Sequence, residues 1–299
     1  ARTSIHQHHR YMFSIAQKQD QYQTYLLSDD SAASSIEIVP ERGGIVTRWQ
    51  IRGQEILYLD RERFADPTLS VRGGIPILFP ICGNLPNDTY THEGREYTLK
   101  QHGFARDLPW KEIDRATKNA ASLTVALDSS EYTRSVYPFD FHLAFTYTLQ
   151  GNVLEISQRY ENHSDRPMPF STGLHPYFQV ADKTQLQFEI PATEFIDQKQ
   201  QTHHVFEGEF DFDCPEIDAA FPDLDHLAAT VTDPSRQLSM TIEYNSVYST
   251  LVFWTLKDKD YYCLEPWSAG RNALNTGDRL IYLYPNSSLT TLVRLVVGA

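Results

Sequence analysis

Apolar and polar residues alternate along nearly the whole of this chain, in runs rich in Tyr, Phe, Thr, Val and Ile, while stretches of helical periodicity are scarce. A period of two puts successive side chains on opposite faces of a strand, so the pattern calls for sheets with one face covered. Strands are expected from Tyr11 to Gln17, Tyr22 to Ser28, Ser35 to Val39, Ile45 to Ile51, Glu55 to Tyr58, Ser122 to Asp128, Phe141 to Leu149 and Val153 to Glu161. Further strands are expected from Leu186 to Ile190, Gln237 to Tyr244, Thr250 to Thr255, Tyr261 to Glu265 and Thr290 to Val297. Gln150-Gly151-Asn152 reads as a tight hairpin, and Glu131 to Tyr137 as one helical turn before Pro138. No low-complexity linker, like-charge run or fixed-period repeat divides the 299 residues, so residues 1–299 are read as one all-β domain of packed antiparallel sheets.

Charge narrows the partners. With 26 basic against 39 acidic residues the formal net charge is −13, which repels nucleic acid and anionic membrane. An anionic ligand therefore needs a local basic pocket. There is no apolar run of about 18 residues to span a bilayer as a helix, and the start ARTSIHQHHR lacks the apolar core of a secretory signal, so a cytoplasmic location is expected. Cys82, Cys214 and Cys263 share no CxxC spacing and are read as small buried hydrophobes. His6, His8 and His9 are read as a tail, and His203-His204 as a polar loop.

The segment from Val71 to Trp110 holds an unusual density of special residues. Gly73-Gly74 permits backbone conformations that a Cβ forbids, and Pro76 and Pro80 bracket the apolar run Ile75 to Ile81, which reads as buried and non-helical. A hairpin is expected from Thr89 to His92 and Arg95 to Leu99, turning at Glu93-Gly94. Arg72 precedes the Gly pair; His102 and Arg106 lie in QHGFARD. Two cations and an imidazole on a backbone fixed by Gly and Pro suit an oxygen-rich ligand, and a structural corner of salt-bridged arginines is the alternative. PMPFSTGLHPYF gathers aromatic and Pro residues around His175, the acidic stretch from Glu207 to Asp225 reads as a long loop, and Glu265 to Asn286 as another. Glu265 beside Pro266 and Trp267 sits in a partly apolar setting, which raises a carboxyl pKa toward that of a useful base.

Taken together, VRGGIP with ILFPICG, QHGFAR, STGLHPYF and YCLEPW resemble, in order and rough spacing, the aldose 1-epimerases (mutarotases) of the galactose-mutarotase-like group, near the branch that acts on hexose 6-phosphates. The likeness runs from about Ile38 to Val297. It implies a large antiparallel β-sandwich, the supersandwich of that group. It also implies that His175 is the general acid, Glu265 the general base, and Arg72, His102 and Arg106 sugar-binding residues. Asp218 in PEIDAAF is similar to the acidic residue that holds sugar hydroxyls, on a looser match. In relatives that act on hexose 6-phosphates, arginines at the matching positions contact the phosphate. The hairpin inserted before His102 and the long segment after Glu265 depart from that pattern, which leaves free and phosphorylated hexoses both open, with a lean to the free aldose. Arg271 is either a third cation or a cap on the Glu265 loop.

The residue types suit the chemistry on their own terms. Exchange of α and β anomers needs a proton delivered to the ring oxygen and another taken from the anomeric hydroxyl, so one acid and one base suffice, each contributing roughly 10²–10⁴-fold. No cofactor is expected. His102, His175 and Glu265 are also metal-ligand types, but no HxH or HxxxH spacing supports a facial triad, and no metal is expected. A sugar-binding sandwich without turnover would keep Trp254, Trp267 and Tyr177 but needs no acid–base pair. A glycoside hydrolase would need two flanking carboxylates, for which Glu265 and Asp218 are the candidates.

Overall fold

The computed structural model describes residues 12–298; His6, His8, His9 and Tyr11 lie outside them. Three antiparallel sheets make up the body. A five-stranded sheet runs in chain order through Phe13–Gln19, Gln23–Asp29, Ser34–Val39, Ile45–Ile51 and Gln54–Glu55. An eight-stranded sheet is ordered Gln187–Glu189, Ala228–Asp233, Leu238–Glu243, Ser288–Gly298, Val153–Asn162, Phe141–Gln150, Ala121–Asp128 and Lys111–Ala116. The third sheet runs Thr202–Val205, Glu194–Asp197, Glu216–Phe221, Thr250–Leu256, Tyr261–Trp267, Gly173–Leu174 and Ile77–Leu78, with Tyr177–Gln179 paired separately to Tyr261–Trp267. The all-β architecture is the one that the alternation implied.

Burial follows the alternation. Phe141–Gln150 buries every second side chain, and its inward residues Leu143, Phe145 and Tyr147 share one apolar cluster with Phe253 and Leu264 of the third sheet. Full burial of a large apolar side chain contributes about 1.5–3 kcal/mol, so this shared interior dominates the stability of the sandwich. Gly151 takes φ +62° at the expected hairpin, and Ser130 caps the short helix Glu131–Val136 by accepting from Thr133 N. Gly73 and Gly74 both have positive φ, and Ile75 to Ile81 is buried and non-helical, with a two-residue strand at Ile77–Leu78.

Three loop expectations are corrected. The acidic stretch from Glu207 to Asp225 contains the strand Glu216–Phe221, whose last four residues are all buried and so show no alternation. The segment from Glu265 to Asn286 contains the end of Tyr261–Trp267, the helical turn Ala273–Thr276 and the strand Ile281–Leu283. The strand is expected to end at Glu265, yet pairing continues through Leu251↔Pro266 and Thr250↔Trp267, because burying the Trp267 side chain outweighs one missing ladder donor. His203-His204 lies in the exposed edge strand Thr202–Val205. Cys82 and Cys263 are buried as expected, but Cys214 is exposed in the acidic stretch. No helix among the described residues is long and apolar enough to cross a membrane.

Candidate active site

One face of the third sheet lines a cleft of about 780 Å³, whose walls include Arg72, His102, Arg106, His175, Asp218 and Glu265, all six of the site residues proposed from the sequence. Glu265 stands on Tyr261–Trp267 opposite Val252, and Asp218 on Glu216–Phe221 opposite Trp254. Tyr261–Trp267 is buried on both faces, which explains how a carboxyl on it comes to be only 1 % exposed.

His175 lies between Gly173–Leu174 and Tyr177–Gln179, its backbone N–H donating to Pro76 O at 3.0 Å. Its ring stacks on Tyr177 at 4.8 Å and meets Trp254 edge-on. Nε2 is 3.4 Å from Oε2 of Glu265, but the two are not aligned as a hydrogen bond, and Nδ1 has no partner. The other oxygen, Oε1, accepts from Trp267 Nε1 at 3.1 Å. Burial pushes the Glu265 carboxyl well above its ordinary range, with Asp218 adding to the effect, and pushes the His175 imidazole down to about 3, with Arg106 adding. Both shifts favour the neutral form of each group over its ion. Between its two macroscopic titrations such a pair carries a single proton.

His102 has its protonation fixed by the backbone. It takes φ +64°, its N–H donates to Gly83 O at 2.8 Å, and Gly83 N–H donates back to Nδ1 at 2.9 Å. Burial, with Arg106, His175 and Arg271 nearby, lowers its pKa well below the usual value. A neutral ring that accepts at Nδ1 carries its proton on Nε2, so His102 can only offer a donor to a ligand there. Gly103, with φ +71°, lets this turn approach Phe79, whose carbonyl oxygen would lie 2.3 Å from an added Cβ.

The cations of the cleft fall into two kinds. Lys100, Lys199 and Arg271 are paired with Asp107, Glu216 and Asp218. Arg72 and Arg106 have no carboxylate partner among the described residues, and Arg106 makes one long bond to Gln101 O at 3.3 Å while its Nε is buried and unbonded. The salt-bridged corner weighed from the sequence is therefore not what these two arginines form. Asp218 accepts from Gln198 Nε2 at 2.7 Å and Arg271 Nη2 at 3.1 Å, which opposes the upward push of burial on its pKa.

His175, Cys263 and Glu265 offer ligand atoms within 4.8 Å of one another, with Cys263 rather than His102 as the third member. His175 Nδ1 lacks the acceptor that orients a ligating imidazole, which argues against a metal centre there. Sequence reasoning missed Asn84 and Gln198, polar residues in turns that nothing in composition or spacing marks out. It named Arg271 without placing it.

The family model for aldose 1-epimerase matches residues 23–280. A Salmonella typhimurium protein provisionally named a glucose-6-phosphate 1-epimerase is 31 % identical over 158 residues, 52 % of this chain and about half, 49 %, of that protein's length. The chromosomal LacX protein of Lactococcus lactis is 26 % identical over 236 residues, 70 % of this chain and 78 % of its own. Among solved structures, the Slr1438 protein of Synechocystis is similar with 48 % identity and a TM-score of 0.92, covering 96 % of this chain and 99 % of that one. A galactose mutarotase-like protein of Clostridium acetobutylicum shares the fold at 19 % identity, TM-score 0.80, over 97 % of this chain and 99 % of its own.

Proposed function

The chain belongs to the aldose 1-epimerase family, and from that premise we propose that it interconverts the α and β anomers of a hexose through acid–base ring opening by His175 and Glu265. One observation carries the reading: Nε2 of His175 and Oε2 of Glu265 stand 3.4 Å apart in a shared cleft, close enough to act on one sugar yet not hydrogen-bonded to each other. In the direction implied by the family likeness, the imidazolium gives its proton to the ring oxygen while the carboxylate takes the proton of the anomeric hydroxyl. The ring opens to an aldehyde, C1 turns, and closure from the other face returns both protons. This uses the charged tautomer of the one-proton pair. Arg106 and Arg271 favour the carboxylate form of Glu265, and sugar hydroxyls replace the water that burial removes. His102 donates from Nε2 to a sugar oxygen. Asp218 has both oxygens engaged, which supports a role in holding hydroxyls and disfavours a hydrolase nucleophile.

Phosphorylation of the hexose is a second reading that one observation favours: Arg72 and Arg106, with no carboxylate partner among the described residues, line the cleft of a protein of net charge −13. Planar guanidinium groups suit a phosphate. Polarimetry on freshly dissolved α-glucose, α-galactose and their 6-phosphates tests both. Faster approach to equilibrium with protein than without supports the epimerase, and unchanged rates on all four leave a binding module. If the phosphate is read, Arg106→Ala raises the KM for glucose 6-phosphate by roughly tenfold or more, the loss expected for hydrogen bonds to a charged group, and much less for glucose. An equal loss for both removes the phosphate reading.

A further inference from the structure

We infer that Arg271 is a positioning residue for the proposed epimerisation: one guanidinium that ties three separate segments into a single wall of the cleft and holds Asp218 toward the sugar. The inference rests on the epimerase reading and goes beyond it, since Arg271 belongs to no motif by which the site was recognised.

Each nitrogen of the guanidinium has its own acceptor. Nε donates to Gln198 Oε1 at 2.9 Å, Nη1 to Asn84 Oδ1 at 2.6 Å, and Nη2 to Asp218 Oδ2 at 3.1 Å. The three acceptors come from the turn after Ile81, the hairpin turn after Glu194–Asp197, and the strand Glu216–Phe221. Two of them are also tied to each other, because Gln198 Nε2 donates to the other Asp218 oxygen at 2.7 Å and Gln198 N–H donates to Asp218 O at 2.9 Å. The neighbouring Asn272 N–H donates to Asn84 O at 3.1 Å, doubling the link to that segment. The guanidinium lies 5.9 Å from the centre of the Trp267 ring, whose Nε1 is bonded to Glu265. Its methylene stem fills the space beside Gly83, where an added Cβ would sit 2.5 Å from Arg271 Cγ. A planar fork with fixed donor directions meets these three acceptors at once, whereas a lysine ammonium could not reach all three from one point.

The same placement puts a positive charge beside the reacting carboxyl. The groups that face Glu265 are His175, Asp218, Arg106, Arg271, the thiols of Cys82 and Cys263, and the Tyr177 phenol. Asp218 and Arg271 act on Glu265 in opposite senses, so removing one or the other moves the proton affinity of the pair in opposite directions.

The test compares wild type with Arg271→Lys, Arg271→Gln and Asp218→Asn in the full chain. It measures kcat and KM for anomer exchange of glucose between pH 4 and 10, with a thermal melt of each protein. Arg271→Gln is expected to raise KM by about tenfold or more and to move both limbs of the pH profile upward by about one unit, the order expected from the loss of one nearby charge. Asp218→Asn is expected to move both limbs downward. Arg271→Lys keeps the charge and loses the fork, so its limbs stay near those of wild type while KM rises. Limbs unmoved in Arg271→Gln, or moved in the same direction as in Asp218→Asn, overturn the proposal. So does a lowered melting temperature with unchanged KM and limbs, which would make Arg271 a strut and nothing more. A wild type that fails to speed exchange at any pH sinks the epimerase reading itself, and this inference with it.

Discussion

Replacing His175 with glutamine should make the protein less sensitive to acid. The imidazole is buried and its pKa is pushed down to about 3, whereas in the unfolded chain it titrates near 6.5. The folded state therefore declines a proton that the unfolded state accepts. Stability arising from this difference is intact above about pH 6.5 and drains away as the pH falls toward 3. At pH 5 the unfolded imidazole is protonated about thirtyfold over neutral, while the folded one is almost wholly neutral. At 1.36 kcal/mol per tenfold this costs the wild type about 2 kcal/mol relative to pH 8. Glutamine titrates nowhere in this range and carries no such cost. Urea unfolding of both proteins at pH 8, 6.5 and 5 reads the effect as a difference of differences. Contributions from titrating groups away from the cleft occur in both proteins and cancel. A wild type and variant that lose equal stability between pH 8 and 5, within a few tenths of a kcal/mol, would refute the claim that His175 is held neutral by burial.

Two further outcomes follow from the same geometry. Glu265→Gln has the opposite pH signature. The folded pKa of Glu265 is raised, so its stabilising contribution is full below about pH 4.5 and is lost as the pH rises through the raised value. The melting temperature of Glu265→Gln should thus gain on wild type as the pH rises above about 4.5, and a constant gap between the two curves would contradict this. Gly103→Ala sets a Cβ 2.3 Å from the Phe79 carbonyl oxygen at φ +71°, whereas Gly53→Ala at φ +79° meets nothing within 4 Å. Denaturant unfolding should show a loss of about 1 kcal/mol for Gly53→Ala and at least roughly twice that for Gly103→Ala, and equal losses would refute the close approach.

Legibility in the sequence tracked how each strand is buried. Phe141–Gln150 and Val153–Asn162 have one wet face and one dry face, and alternation placed them within a residue or two. The edge strands Lys111–Ala116 and Thr202–Val205 are exposed on almost every residue, so their sequences hold no periodic signal. Glu216–Phe221 fails for the opposite reason, since its second half is buried at every position. The candidate site was legible only where short segments carried a family likeness. His175 and Glu265 each look ordinary in composition, and residue type alone could not set them face to face. The partners of Arg271 were hidden more deeply, because Asn84, Gln198 and Asp218 come together through sheet order rather than through any local pattern.

Magnetisation exchange between the α and β anomeric protons of a hexose at equilibrium, followed by NMR, tests the central claim most directly. It reads ring opening without any coupled reaction. Wild type should exchange the two signals faster than buffer does, while His175→Gln and Glu265→Gln each lose most of the gain, roughly 10²-fold or more. The double variant should be little worse than either single one, as expected of two groups that work as one unit. Exchange that persists at the wild-type rate in either single variant would contradict the account.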